Sequence, residues 1–128
     1  MPTFPVVTGD VLTSTIFNGL PAFTVQTAKT VDYTAASGDE YQQLIPMNKA
    51  TAVAFKIPTD ATFAFPVGTV ITVLNIGAGA VTISAVTPGT TTILSAGTVA
   101  ASPTLAQYKS AACIKTAANA WYIVGAIG

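Results

Sequence analysis

Short runs of alternating apolar and polar residues cover most of this chain, and a period of two residues is typical of β-strands. The clearest run is Thr51 to Ile57, in which Val53, Phe55 and Ile57 fall on one face. Turn residues separate such runs about every 8–12 positions, and no stretch shows a helical period. We therefore expect about eight or nine short strands in an all-β fold, either an antiparallel β-sandwich or a jelly-roll-like module. The sequence shows no internal repeat of fixed period.

The longest apolar stretch lies between Val70 and Val86. Val70 to Ile76 is apolar on both faces, which predicts a strand that is buried on both sides, between sheets or between subunits. Gly77-Ala78-Gly79 has the composition of a three-residue hairpin loop, so the strands on either side of it are expected to pair. A second, closing hairpin is predicted from Leu105–Lys115 and Ala120–Ile127.

The remaining strands carry more specific expectations. Tyr41 to Met47 contains Pro46, which has no N–H for a sheet ladder, so this strand is placed at an edge. Trp121 and Tyr122 should point to opposite faces of the last strand, with Trp121 in the core and Tyr122 at its rim. In the alternative interpretation, one of these two rings stacks on a sugar in a receptor-binding site. The predicted core contains Val53, Phe55, Leu74, Ile83 and Trp121.

The first 31 residues differ from the rest of the chain. Their apolar residues follow no period, and Pro2, Pro5 and Pro21 prevent long regular structure. A disordered tail is usually polar and charged, so this segment is predicted to be an extended arm that packs on a neighbouring protein. The alternative is a terminus without a partner. We thus divide the chain into an N-terminal arm, residues 1–31, and a β-sandwich module, residues 32–128. The predicted partner-binding residues are Phe4, Val6, Val7, Ile16 and Phe17.

Charge is scarce throughout the 128 residues. Charged residues make up 8% of the chain, with five lysines, five acidic residues and a net charge of zero. The mean hydropathy of +0.61 fits either a membrane protein or a subunit that buries much surface in an assembly. Pro and Gly interrupt every apolar stretch before it reaches the roughly 20 residues of a spanning helix. Without arginine or a basic cluster, binding to nucleic acid is not expected either.

The residues needed for catalysis are almost missing. The chain has no histidine, which excludes serine–histidine and cysteine–histidine arrangements. The acidic residues fall in predicted turns, and Cys113 is predicted to be a buried structural thiol. A calcium site at Asp39 and Glu40 lacks the usual ligand spacing. We therefore expect no enzymatic activity, no metal site and no cofactor.

Three segments carry a resemblance to a known family: YTAASGDEYQQLIPMN, FPVGTVITVLNIGAGAVTI and QYKSAACIKTAANAWYIVG. Together they run from Tyr33 to Gly125, and the middle one is the most specific because its turn residues and both strands match together. The chain resembles a small β-module of tailed-bacteriophage structural proteins, of the kind found in capsid decoration proteins, head fibres and tail-fibre tips.

The resemblance implies a non-enzymatic virion protein. The expected function is capsid decoration, in which a homotrimer sits on the outer capsid surface and contacts the major capsid protein. The alternative is the receptor-binding tip of a tail fibre, an adhesin for a carbohydrate or a protein. The chain holds one module without a coiled coil, which favours decoration over the tail fibre.

Overall fold

The computed structural model describes residues 24–41, 43–95, 98–99 and 102–127. Within this part of the chain there are eleven strands and no helix, so the expected all-β fold is confirmed. The strands are β1 (Thr24–Val25), β2 (Tyr33–Thr34), β3 (Gln43–Met47), β4 (Val53–Ile57), β5 (Val70–Asn75), β6 (Val81–Ala85), β7 (Thr92–Ser95), β8 (Thr98–Val99), β9 (Thr104–Leu105), β10 (Ser110–Ala117) and β11 (Ala120–Gly125).

The strands form two sheets that pack face to face. Sheet A has seven strands in the order β1-β3-β5-β10-β11-β7-β8, and sheet B has four in the order β2-β4-β6-β9. Both sheets are mixed. The pairs β1–β3, β3–β5 and β11–β7 in sheet A, and β2–β4 and β4–β6 in sheet B, are parallel. The prediction of an antiparallel sandwich was therefore wrong in strand direction, while its two-layer architecture is confirmed.

The parallel pairs arise because the chain makes stacked arches. Each of the segments β1–β2, β3–β4 and β5–β6 crosses from sheet A to sheet B, and each arch lies on the next. Between the second and third arches the register is constant: Leu44 pairs with Thr72 and Val53 with Val81, in both cases 28 residues apart. The fold thus contains a structural repeat that the residue types do not show.

The predicted hairpin around Gly77-Ala78-Gly79 was also wrong. These residues carry the chain from β5 in sheet A to β6 in sheet B, beside the Lys49–Thr51 segment of the preceding arch. The Gly79 N–H donates to the Lys49 carbonyl at 2.9 Å. A Cβ atom on Gly79 would overlap the Thr51 carbonyl oxygen, and one on Gly77 would collide with the Lys49 backbone. The glycines are needed for close approach of two backbones rather than for a tight reversal.

Asn75 stabilises this crossover from within the core. Its side chain is fully buried, and its Nδ2 donates to the carbonyls of Gly79 and Leu105 at 2.9 Å each. Its Oδ1 accepts from the Gly77 N–H at 3.0 Å. Where the chain leaves a sheet, its backbone N–H and C=O groups lose their partners in the sheet. The buried Asn75 amide supplies hydrogen bonds to three such backbone groups.

The core fills the space between the inner faces of the two sheets. Val53, Phe55, Ile83 and Trp121 are at most 4% exposed, which confirms four of the five predicted core residues. Leu74 was predicted wrongly, since it is half-buried and lies opposite Ser110 on the outer face of sheet A. On β5 it is Ile71 and Val73 that point inward, each with 0% exposure.

Two further expectations have clear outcomes. The closing hairpin is confirmed as β10 and β11 with a turn at Ala118-Asn119, although Leu105 belongs to β9 in sheet B. The edge placement of Pro46 was wrong, because β3 lies between β1 and β5. Pro46 is tolerated there because its nitrogen is on the side that faces the irregular segment 26–29, where its carbonyl accepts from Lys29 at 2.9 Å.

Candidate interaction surface

The outer face of sheet A carries apolar side chains on five adjacent strands. Strand alternation and cross-strand register place its residues on one side of five adjacent strands. We call it the sheet A outer face and define it by Leu44, Val70, Thr72, Leu74, Thr92, Leu94, Ala112, Ile114, Tyr122 and Val124. None of these residues carries a charge.

The centre of this surface lies on the middle strand of sheet A, at Ile114. Ile114 pairs with Val70 on one side and with Tyr122 on the other. Val70 is 38% exposed, Tyr122 45% and Val124 47%, whereas Ile114 is half-buried beneath them. Large apolar side chains on a sheet pack well against their neighbours, but their exposure to water is unfavourable. The arrangement is typical of a surface that a second molecule covers.

The outer face of sheet B has the opposite character. Its cross-strand pairs join Thr34 with Lys56, Lys56 with Ser84 and Ala54 with Thr82. Hydroxyl and ammonium groups on strand faces are well hydrated, so this side suits contact with water. The sandwich is therefore two-sided, with one uncharged apolar face and one polar face. Isolated apolar residues on a surface are ordinary, but a contiguous patch on one sheet indicates an interaction site.

Further exposed apolar side chains surround the open end of the arch stack. Val25 is 64% exposed and Val31 65%, and both belong to the outermost arch, β1–β2. Tyr41, 70% exposed, lies just before β3 at the same end. The backbone of β1 pairs only with β3, so its other edge is open among the described strands. This end is smaller than the sheet A outer face and less continuous.

A buried ion pair holds the loop between β4 and β5. Lys115 is on the inner face of β10 with its side chain 2% exposed, and its Nζ donates to Asp60 Oδ1 at 2.8 Å and to the Phe65 carbonyl at 2.6 Å. Asp60 and Asn119 are joined twice: Asp60 N–H donates to Asn119 Oδ1 at 2.9 Å, and Asn119 N–H donates to Asp60 Oδ2 at 3.1 Å. The lysine therefore anchors a loop to the closing hairpin.

This loop also covers one end of the core. Phe65 packs edge-on against Trp121 with ring centroids 5.6 Å apart, and Phe63 packs edge-on against Phe65 at 4.6 Å. Both geometries are favourable for aromatic pairs. From the sequence, Asp60 was predicted to lie in a turn, and no role was predicted for Lys115. The two residues are 55 positions apart, so no local pattern indicates their contact.

The other candidate chemical groups have structural roles. Burial raises the pKa of the Cys113 thiol to about 12, so it stays protonated and unreactive, as predicted for a structural cysteine. Asp39 accepts from the Tyr33 hydroxyl at 2.7 Å and from Gln26 Nε2 at 2.6 Å. The pKa of Tyr33 is raised, chiefly by burial and further by this hydrogen bond to Asp39.

The remaining carboxylates of the described chain accept from backbone N–H groups. Asp32 Oδ1 accepts from Ala54 at 2.9 Å, and Glu40 Oε1 from Gly38 at 2.7 Å. Asp39 and Glu40, considered above as a calcium site, thus hold their own turn. Among the residues that the structure describes, no group of three His, Cys, Asp or Glu side chains is placed to bind a metal ion. The same part of the chain contains no helix long and apolar enough to cross a membrane.

The five predicted partner-binding residues lie in residues 1–23, outside the described part of the chain. They are Phe4, Val6, Val7, Ile16 and Phe17, and their role stays a prediction. The residues just after them, from Thr24 to Val31, run beside β3: the Gln26 N–H donates to the Leu44 carbonyl at 2.9 Å. Sequence reasoning missed the sheet A outer face as a whole. The available signal was the two-faced apolar pattern of β5, which suggested burial between sheets or subunits.

Comparison with protein-family models, with curated proteins and with solved structures finds no match for this chain.

Proposed function

We propose that the protein is a non-enzymatic structural protein of a tailed-phage virion that decorates the outer capsid surface. The observation that supports this most is the contrast between the two outer faces of the sandwich. A small module with an uncharged apolar face and a polar face is suited to lie between an assembly and water. The resemblance to phage structural modules supplies the type of assembly, and the low charge of the chain agrees with it.

In this proposal the module binds across neighbouring subunits of the shell. The polar outer face of sheet B is turned to solvent, and the apolar surface is covered by other proteins of the shell. The proposed partners are the major capsid protein and further copies of the chain in a homotrimer. Binding across neighbouring shell subunits stabilises the shell by mass action, since a ligand of the assembled state shifts the equilibrium away from the disassembled one.

The chemistry of the described residues supports a structural function. Cys113 is buried and protonated, and the carboxylates at residues 32, 39, 40 and 60 are hydrogen-bonded to the fold. Activated nucleophiles and general bases are usually found in accessible sites with matched pKa values. The groups present are instead those that close turns and anchor loops.

The test is an add-back experiment with particles that lack the protein. Purified protein is mixed with such particles, and bound protein is measured after sedimentation through a cushion, together with the temperature at which the shell disrupts. We expect saturable binding and a higher disruption temperature. Absence of binding to the shell at micromolar protein would contradict the proposal. Binding to isolated tails alone would favour the tail-fibre alternative.

The receptor-binding tip has one observation in its favour. Tyr108 is 75% exposed at the turn before β10 and has a positive φ of 66°, which is uncommon for a residue other than glycine. An exposed ring held in a costly backbone conformation is suited to contact a ligand. In that case Tyr108→Ala would reduce binding of the protein to host cells and leave its folding intact. An unchanged level of cell binding in that variant, or none in the wild type, removes this alternative.

A further inference from the structure

We infer that the sheet A outer face is the surface through which copies of this chain associate with one another. The occupants of the face are other copies of the chain, with the sheet A outer faces of three copies meeting around a common axis. This deepens the proposed function by naming the contact between subunits, and it rests on that function only for the expected number of copies, three.

The charge distribution favours a second copy as the occupant. A face without charge can meet an identical face without bringing like charges together, and none of the ten residues of the sheet A outer face is charged. The outer face of sheet B could not pair with itself in this way, because Lys56 lies in its middle, paired with Thr34 and Ser84. Self-association is thus directed to one side of the sandwich.

The arrangement of side chains fits a self-complementary contact. Tyr122 and Ile114 are cross-strand neighbours near the centre. The smaller residues Ala112 and Thr72 are also cross-strand neighbours, and Ala112 lies two residues before Ile114 on β10. Large residues beside small ones give a surface on which side chains of an opposite sheet can interdigitate. One aromatic side chain near the centre, Tyr122, with Thr92 towards the rim, fits the usual division of an interface into core and rim.

The size of the surface predicts how strong the association is. Five strands about 4.8 Å apart, each contributing about five residues of about 3.3 Å, make a flat area of roughly 350–400 Å² per copy. This is comparable to the patches that mark interaction sites on monomers, but it is below the roughly 600–1,000 Å² per partner of stable interfaces and in the range of weak, transient contacts. We therefore expect association that depends on concentration in the micromolar range.

The experiment compares two valine-to-lysine variants by sedimentation equilibrium over a range of protein concentrations. Val124 belongs to the sheet A outer face and is 47% exposed, while Val86, just beyond β6 in sheet B, is 49% exposed. The two substitutions are matched in residue type and exposure, and neither removes a buried side chain. Val124→Lys should raise the dissociation constant of self-association about 100-fold or more, because it buries an unpaired charge. Val86→Lys should change it less than about threefold.

A second variant and a folding check keep the result decisive. Tyr122→Lys, also at an exposed position, should weaken association to a similar degree, and circular dichroism should show that all three variants keep the wild-type β spectrum. The inference is overturned if the wild-type protein is monomeric at every concentration up to high micromolar. It is equally overturned if Val124→Lys and Val86→Lys weaken association alike, or if folded Tyr122→Lys associates as the wild type does.

The proposed function is tested separately by the add-back assay. If the wild type is monomeric but still binds particles, capsid decoration stands and the shell, rather than a second copy, covers the sheet A outer face. If the protein associates through this face and never binds particles, the inference stands and the decoration proposal fails.

Discussion

The ion pair between Lys115 and Asp60 offers the sharpest test of how the sandwich is held together. The partners differ in burial, since the Lys115 side chain is 2% exposed and the Asp60 side chain 22%. Removing the carboxylate in Asp60→Ala leaves a buried ammonium group with the Phe65 carbonyl as its remaining partner. Breaking a buried pair in this way costs about 3–5 kcal/mol, and the partial exposure of Asp60 places the expected loss near 3 kcal/mol.

Removal of the other partner should cost much less. In Lys115→Met the flexible apolar chain fills the space of the lysine stem, and the partly exposed Asp60 keeps its hydrogen bond from the Asn119 N–H at 3.1 Å. We expect a loss of about 1 kcal/mol. The double variant should resemble Lys115→Met, because no unpaired buried charge is left and a hydrophobic replacement of a buried pair is often neutral.

Urea unfolding of the wild type, the two single variants and the double variant completes a double-mutant cycle. Asp60→Ala should lose the most stability. Lys115→Met and the double variant should lose similar and much smaller amounts. For a domain of this size the Asp60→Ala loss corresponds to a fall in Tm of about 10–20 °C. A loss under about 1 kcal/mol in Asp60→Ala, or a double variant less stable than Asp60→Ala, would show that Asp60 is not needed to neutralise a buried Lys115.

Four other outcomes follow from the same structure. Phe55→Ala should destabilise by about 3–5 kcal/mol in urea unfolding, since the ring is fully buried, and a loss under about 1 kcal/mol would mean that the sheet faces are assigned wrongly. Gly79→Ala should cost about 1–3 kcal/mol through collision with the Thr51 carbonyl, whereas Gly89→Ala, where no atom lies within 4 Å of the added Cβ, should be nearly neutral. Deleting residues 1–20 should lower Tm little but abolish or strongly weaken binding in the add-back assay; unfolding of the truncated protein would show that the arm belongs to the domain, and unchanged binding would show that the arm is a passive tail. Because burial raises the Cys113 pKa from 9.0 to about 12, the folded state keeps a proton that the unfolded chain loses, so stability should fall as pH rises from about 9 to 12, and Cys113→Ala should reduce that fall.

The strand pattern and most of the core could be predicted from sequence because both follow from local alternation. Val53, Phe55 and Ile57 are apolar at every second position. Because side chains alternate between the two faces of a strand, one buried position indicates which other positions of that strand face the core. Trp121 was assigned correctly for the same reason, and its neighbour Tyr122 is on the opposite face, 45% exposed.

The pairing of strands could not be predicted, since it depends on contacts distant in sequence. Gly77-Ala78-Gly79 satisfies the requirements of a hairpin loop and those of a crossover equally well, and only the adjacent Lys49–Thr51 backbone decides between them. The 28-residue repeat is hidden because most paired positions hold different residue types: Pro46 lies beside Leu74, and Phe55 beside Ile83, although Val53 lies beside Val81. Leu74 was assigned to the core because nothing in a strand with two apolar faces says which one points inward.

The candidate surface was partly visible from the sequence. The apolar outer positions of β5 suggested a covered face, but the cross-strand neighbours that complete it come from β10, β11 and β7, which are 17 or more residues away. The absence of charge between Asp60 and Lys109 was the other signal. It marked the region without showing that the uncharged residues gather on one side of one sheet.

Electron cryomicroscopy of the particle that carries this protein would locate the module and show which of its faces is covered. We predict density for the sandwich on the outer capsid surface, with the sheet A outer face covered by protein and the outer face of sheet B, around Lys56, open to solvent. Density at the tip of the tail, or a bound module whose sheet A outer face, around Tyr122, is open to solvent, would contradict it.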